Sequence, residues 1–121
     1  MKKLNLFILF IIISSISLFS QTKITPAQAN NHIGEKVTIT GTVDEVHITR
    51  TGTCFLNMGG TYPDNTFTAV IFKSDISKFG DVQKYEGKEV EISGLLKEYQ
   101  HKPEIILNYK KQIKVLILSN R

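Results

Sequence analysis

Apolar and polar residues alternate along most of the chain beyond its first thirty residues. Val37/Ile39 and Val90/Ile92 show the period of two that marks a half-buried strand. Both alternations sit inside a ten-residue pattern that occurs twice, as Gly34-Glu-Lys-Val-Thr-Ile-Thr-Gly41-Thr-Val43 and as Gly87-Lys-Glu-Val-Glu-Ile-Ser-Gly94-Leu-Leu96. In each copy a turn glycine leads, charged residues follow, and a second glycine stands seven positions after the first. A glycine inside a strand usually marks a bulge or a bend at a corner. The copies lie 53 residues apart and are too short for a solenoid repeat. They read as two equivalent strands, each bent at its glycine, of one small closed β-barrel.

The remaining segments extend this pattern. Thr25 to Ile33 reads as a short helix, with Thr25 as N-cap, Pro26 in the first turn and Gly34 as terminator. Ala29 and Ile33, four apart, are expected to face the barrel. A first long strand covers Lys36 to Ile48. Its apolar phase shifts between Val43 and Val46, which predicts a bulge at Asp44-Glu45. Thr49 to Thr53 is a hairpin loop turning at Gly52, and Cys54 to Met58 is the second strand. Gly59 to Asn65 is dense in turn residues, and Phe67 to Phe72 is the third strand. Lys73 to Glu86 is a polar, loosely helical insert. Lys88 to Tyr99 is the fourth strand, Gln100 to Pro103 a tight connection, and Glu104 to Leu118 the fifth strand.

The chain's start has a different character. Lys2 and Lys3 precede an apolar run from Leu4 to Ile13, and Ser14 to Ser20 follows. A basic region, a short apolar core and small polar residues predict a signal peptide over residues 1–20 and export to the periplasm or the medium. Leu18 is not the ideal small residue before a cleavage point, so retention as an N-terminal anchor stays open. After cleavage no stable membrane span is expected. Residues 21–121 form the expected single domain.

Composition narrows the chemistry. The whole chain carries a net charge of +4, but without Lys2 and Lys3 there are 13 basic and 11 acidic side chains, a net of +2. That is no argument by itself for nucleic acid or an anionic membrane; any electrostatic case rests on local clustering. Cys54 is the only cysteine, which excludes an intramolecular disulfide, and its neighbours Phe55 and Leu56 place it in a buried strand. His32, His47 and His101 fall in separate elements, with no ligand spacing that predicts a metal site. Asp44 and Glu45 point to opposite faces of a regular strand. No nucleophile elbow, phosphate-cradling glycine loop or Cys/His pair is present, so neither an enzyme nor a cofactor is expected.

Taken in order, the blocks Gly34 to Val43, Phe55-Leu-Asn-Met-Gly59 with Tyr62-Pro63, Phe67 to Phe72, Gly87 to Gly94 and Tyr99 to Leu107 resemble the bacterial OB-fold modules of nucleic-acid-binding type. The resemblance spans nearly all of residues 24–117. It implies an all-β, five-stranded Greek-key OB-fold barrel, with a short N-terminal helix and a short helical insert between the third and fourth strands. In the family a glycine often opens the last loop; here His101 stands at that place.

The resemblance also implies a ligand site across the face of the second and third strands. Single-stranded nucleic acid needs aromatic faces for bases and cations for phosphates. The candidate contacts are Arg50 in the first loop, Phe55, Asn57 and Tyr62 in and after the second strand, and Phe67 in the third. Lys97, Tyr99, His101 and Lys102 at the last loop complete the set. His47 accompanies Arg50. Phe55, Phe67 and Phe72 read more readily as core than as a stacking platform, and Lys110, Lys111 and Lys114 as a solvated edge. The expected function is therefore an exported OB-fold module binding single-stranded DNA or RNA. The alternative is a periplasmic module of envelope or stress type that uses the same groove for a protein or small ligand.

Overall fold

The computed structural model describes residues 21–117; the expected signal peptide, and the end of the expected fifth strand at Leu118, lie outside the described residues. The strands are β1 (Thr22–Ile24), β2 (Lys36–Ile48), β3 (Cys54–Met58), β4 (Phe67–Ile71), β5 (Glu89–Leu95), β6 (Lys97–Tyr99), β7 (Lys102–Ile106) and β8 (Ile113–Val115). They form one eight-stranded mixed sheet in the order β6-β7-β4-β3-β2-β5-β8, with β1 paired to β2 beside that path. The β1–β2 and β4–β7 pairs are parallel, and the others antiparallel.

The two copies of the repeated pattern pair with one another. Ile39 lies opposite Ile92, Val37 opposite Gly94 and Gly41 opposite Val90. The flanking turns mirror this relation. Gly34 N donates to Leu96 O at 2.7 Å and Gly87 N to Val43 O at 2.8 Å, which are equivalent bonds between equivalent positions. The bulge predicted near Asp44 is present as a register shift between Val43 and Glu45.

The expected closed five-stranded barrel is not formed. Both strands that had to close it divide. The expected strand from Lys88 to Tyr99 breaks at Leu96, whose side chain is fully buried and whose N–H donates to Glu35 O at 2.9 Å. β5 therefore stays with β2, while β6 pairs only with β7. The expected strand from Glu104 onward breaks after Ile106 into a 3-10 turn, Lys110–Gln112. Its first part pairs with β4 and its second with β5, at opposite ends of the sheet. Among the described residues no ladder joins these ends, so the sheet stays open.

Gln112 stabilises the second break. Its Oε1 accepts from Asn108 N at 2.7 Å and Tyr109 N at 3.0 Å, and its Nε2 donates to Ser93 O and Ile106 O, each at 3.2 Å. A side-chain amide thus spans from β5 to β7 where no backbone ladder does.

The N-terminal helix is a 3-10 helix, Pro26–His32. With three residues per turn, positions four apart do not share a face; Ala29 is fully buried but Ile33 is exposed. The insert between β4 and β5 is less polar in effect than its composition suggests. It folds as two 3-10 helices, Lys73–Phe79 and Val82–Tyr85, which sink Phe79, Val82 and Tyr85 into the core. Cys54 is buried there as expected, and burial pushes its thiol up to about 11.

Candidate functional site

Strand alternation assigns the two faces of β3 and β4. Cys54, Leu56 and Met58 join Phe67, Ala69 and Ile71 in the core. Phe55, Asn57, Thr68 and Val70 take the other face. The pairing registers then draw two rows across the outer face. One runs Glu45, Asn57, Thr68, Glu104, Lys97; the other runs His47, Phe55, Val70, Ile106. Above these rows a groove of about 700 Å³ opens between the β2–β3 hairpin, the loop from Gly59 to Thr66 and the β6–β7 turn.

The polar floor of the groove is closely bonded. Asn57 Nδ2 donates to Glu45 Oε1 at 2.9 Å, and Tyr62 N donates to the same oxygen at 3.0 Å. Asn57 Oδ1 accepts from Thr68 Oγ1 at 3.0 Å and Asn65 Nδ2 at 3.3 Å, and Asn65 Nδ2 also reaches Thr68 Oγ1 at 2.7 Å. Asn57, Asn65 and Thr68 are all buried, and among the described residues no buried side-chain polar atom lacks a partner. Lys102 closes the network from the far side. Its ammonium donates to Asn65 Oδ1 at 2.8 Å, to Asn65 O at 3.1 Å and to Pro63 O.

The two groove carboxylates differ in environment. The Tyr62 N–H bond, then that from Asn57, holds Glu45 below the usual glutamate range. Burial pushes Glu104 above it, opposed in part by the Lys97 charge. Asp44 adds a further tether, accepting from Gly60 N at 2.8 Å. In a regular strand Asp44 and Glu45 would face opposite sides; the bulge lets both reach one loop.

Aromatic rings stand on the floor and at the edges of the groove. His47 and Phe55 stack with ring centres 6.4 Å apart and planes within 5°. Tyr62 is 74% and Tyr99 60% exposed, so both present ring faces to solvent at the groove's edges. The Lys102 ammonium lies 5.6 Å from the Tyr62 ring centre.

Of the nine candidate contacts, Phe55, Asn57, Tyr62, Tyr99 and Lys102 line this groove. Phe67 does not: it is fully buried on the core face. Arg50 is exposed in the β2–β3 hairpin beyond the groove's lining. Lys97 stands at the end of the floor row and lines a smaller hollow of about 400 Å³ with Phe72 and Leu95. His101 occupies the β6–β7 turn with a φ of 66°, and Gln100 before it has a φ of 49°. The turn thus takes the left-handed conformation that the family's glycine would supply.

Glu45, Asn65, Thr68 and Glu104 also belong to the site, and the sequence reading passed over them as contacts. The signal for Glu104 and Thr68 lay in the parallel pairing of β4 with β7, which puts both in the row of Asn57. Among the described residues no group of three His, Cys, Asp or Glu side chains could hold a metal ion.

No protein-family model matches the chain, and no curated protein matches it in sequence. Solved structures match in fold. An OBody, AM1L10, bound to hen egg-white lysozyme is 14% identical with a TM-score of 0.59, over 83% of this chain and 98% of that one. The asparaginyl-tRNA synthetase of Entamoeba histolytica is 20% identical with a TM-score of 0.57, over 84% of this chain and 25% of that one. The asparaginyl-tRNA synthetase of Pyrococcus horikoshii is 17% identical with a TM-score of 0.52, over 78% and 23%. The fold is OB-like. The resemblance read from the sequence holds in that form, without the closed barrel.

This chain spans about a quarter of the length of the synthetases it matches. Its described residues form a module of OB-like fold, which corresponds to one part of the length of those synthetases. The expectation of a secreted or periplasmic protein is corrected by the same matches, which are to synthetases and an OBody, with no exported bacterial module among those described. No helix among the described residues is long and apolar enough to cross a membrane.

Proposed function

We propose that this chain is a non-catalytic binding module that takes single-stranded nucleic acid, DNA or RNA, across the outer face of β2, β3, β4 and β7. The observation that carries this reading is the aromatic rim: the stacked His47–Phe55 pair on the floor, with the exposed rings of Tyr62 and Tyr99 on either side. Bases stack on such faces with little regard to sequence, each contributing about 1–3 kcal/mol. Arg50 and Lys97 stand outside the groove, where a backbone running over it would bring its phosphates. The likeness in fold to proteins named for tRNA adds support.

A protein ligand is the second reading. The groove carries two carboxylates, and the only lysine lining it already holds three oxygens. The OBody of like fold is itself bound to a protein.

Fluorescence anisotropy with labelled single-stranded oligomers at low and near-physiological salt tests the proposal. Micromolar binding that weakens steeply with salt is expected, because phosphate contacts release counterions. No binding at low salt would overturn it and favour the protein ligand.

A further inference from the structure

Most donors on the floor of the groove are engaged, while one carboxylate is not. A lysine ammonium has three protons, and those of Lys102 are directed at Pro63 O, Asn65 O and Asn65 Oδ1. Asn57 Nδ2 donates to Glu45, Thr68 Oγ1 to Asn57, and Asn65 Nδ2 to Thr68 and the Phe67 carbonyl. Glu104 stands apart. It lies in the same row, half-buried, between Thr68 and Lys97. Among the described residues its carboxylate makes no side-chain hydrogen bond and no ion pair; only burial and the more distant Lys97 charge act on it. A half-buried carboxylate of this kind is a strong acceptor awaiting a donor.

Resting on the reading of the groove as a nucleic-acid face, we propose that it selects bases bearing an exocyclic amino group, with Glu104 as the accepting residue. Cytosine and adenine present amino protons beside their ring nitrogens. Thymine and uracil present a single N–H between two carbonyl oxygens, so a carboxylate that accepts from that N–H is left with its other oxygen against a carbonyl oxygen. Tyr99, one strand away in β6, would hold the base by its face while Glu104 reads its edge.

The test is the affinity of the full chain for oligo(dC) and oligo(dT) of equal length at fixed salt and neutral pH. Both are pyrimidines, so the comparison isolates the edge. Oligo(dC) is expected to bind roughly five- to a hundredfold more tightly, the range of one good edge contact. Glu104→Gln, which offers a donor as well as an acceptor, is expected to bring the ratio to within about twofold. Equal affinities for wild type would overturn the selectivity while leaving the nucleic-acid reading intact. A ratio that survives in Glu104→Gln would overturn the assignment to Glu104. Absence of binding to either oligomer would overturn the underlying reading, and the inference with it. The wild-type comparison needs no variant to fold.

Discussion

Ile39 and Ile92 lie directly opposite one another in β2 and β5, both fully buried, and each is the sixth residue of its copy of the repeated pattern. The repeat is thus a local two-fold relation, and its second glycines, Gly41 and Gly94, are equivalent positions set against different neighbours. A Cβ on Gly94 would come within 2.6 Å of Ile105 Cγ2 and 3.2 Å of Gln112 Nε2; one on Gly41 would meet Pro26 Cγ at 2.9 Å and the flexible Met58 Cε at 3.3 Å. Gly94→Ala is expected to cost about 1–3 kcal/mol, as overpacking of a core does, and Gly41→Ala less, because Pro26 sits in a short 3-10 segment that can shift. Urea unfolding of the two variants checks the order; a neutral Gly94→Ala would show that β5 and β7 do not approach as described.

Gln112 substitutes a side chain for a missing ladder. Gln112→Ala is expected to destabilise by about 1–3 kcal/mol, since backbone groups on both sides lose their partner. Gln112→Glu should be no better than alanine for the β5–β7 span, because a carboxylate cannot donate to Ser93 O and Ile106 O. Thermal melts of both variants provide the comparison, and a Glu variant as stable as wild type would remove the bridging role.

Lys102 and Arg50 separate structure from phosphate contact. Lys102→Ala frees Asn65 and the loop before β4, so both stability and oligomer affinity should fall. Its ammonium is already committed, so the dependence of log affinity on log salt should keep its slope. Arg50→Ala should leave stability within about 0.5 kcal/mol and flatten the slope by about 0.7, the increment for one single-strand phosphate contact. Anisotropy titrations across salt decide this, and a Lys102→Ala slope as shallow as that of Arg50→Ala would make Lys102 a phosphate contact after all.

Tyr62 and Tyr99 are exposed enough that their removal should leave folding nearly unchanged. Each alanine variant is nonetheless expected to lose about 1–3 kcal/mol of oligomer binding if its ring carries a base. Paired measurement of melting temperature and affinity distinguishes this from unfolding; unchanged affinity in both variants would remove the aromatic rim from the site.

Glu104 sets a pH dependence with a definite sign. Its folded pKa is raised, so between the ordinary glutamate value and that raised value the folded chain holds a proton that the unfolded chain has lost. Stability contributed by this group is therefore present below the ordinary value and falls as pH rises through the window. Glu45 acts in the opposite sense: its lowered pKa favours the folded state above the ordinary value and is lost on acidification. Glu104→Gln should thus be more stable than wild type at neutral pH, with the gain vanishing in acid. Chemical denaturation at several pH values tests the sign, and a variant less stable at pH 7 would contradict it.

Much of the architecture was legible because it is local. Alternation in Val37/Ile39 and Val90/Ile92 located β2 and β5, and the phase change from Val43 to Val46 located the bulge; His101 at the place of a turn glycine left its backbone conformation open, and the structure gives it a positive φ. Exposed Tyr62 and Tyr99 were recognisable as edge aromatics because a tyrosine in a turn-rich segment has little to bury it. Phe67 misled because alternation gives two faces without naming the inner one; only the companions Ala69 and Ile71, packed with Leu56, decide it.

The sequence by itself determined where β2, β3 and β4 run, where the chain turns between them and which residue types could meet a base, since each depends on neighbours within a few positions. Only the tertiary structure decided that the sheet stays open and what the groove floor offers a ligand. The break at Leu96 follows from a side chain drawn into the core and a backbone bonded to Glu35, sixty-one positions earlier. The floor is assembled from Glu45, Asn57, Asn65, Lys102 and Glu104, brought together by the β2–β3 and β4–β7 pairings and the side-chain bonds of Asn65. Hydrogen bonds between such distant segments leave no period in the chain, because their partners are chosen by the packing of the whole sheet.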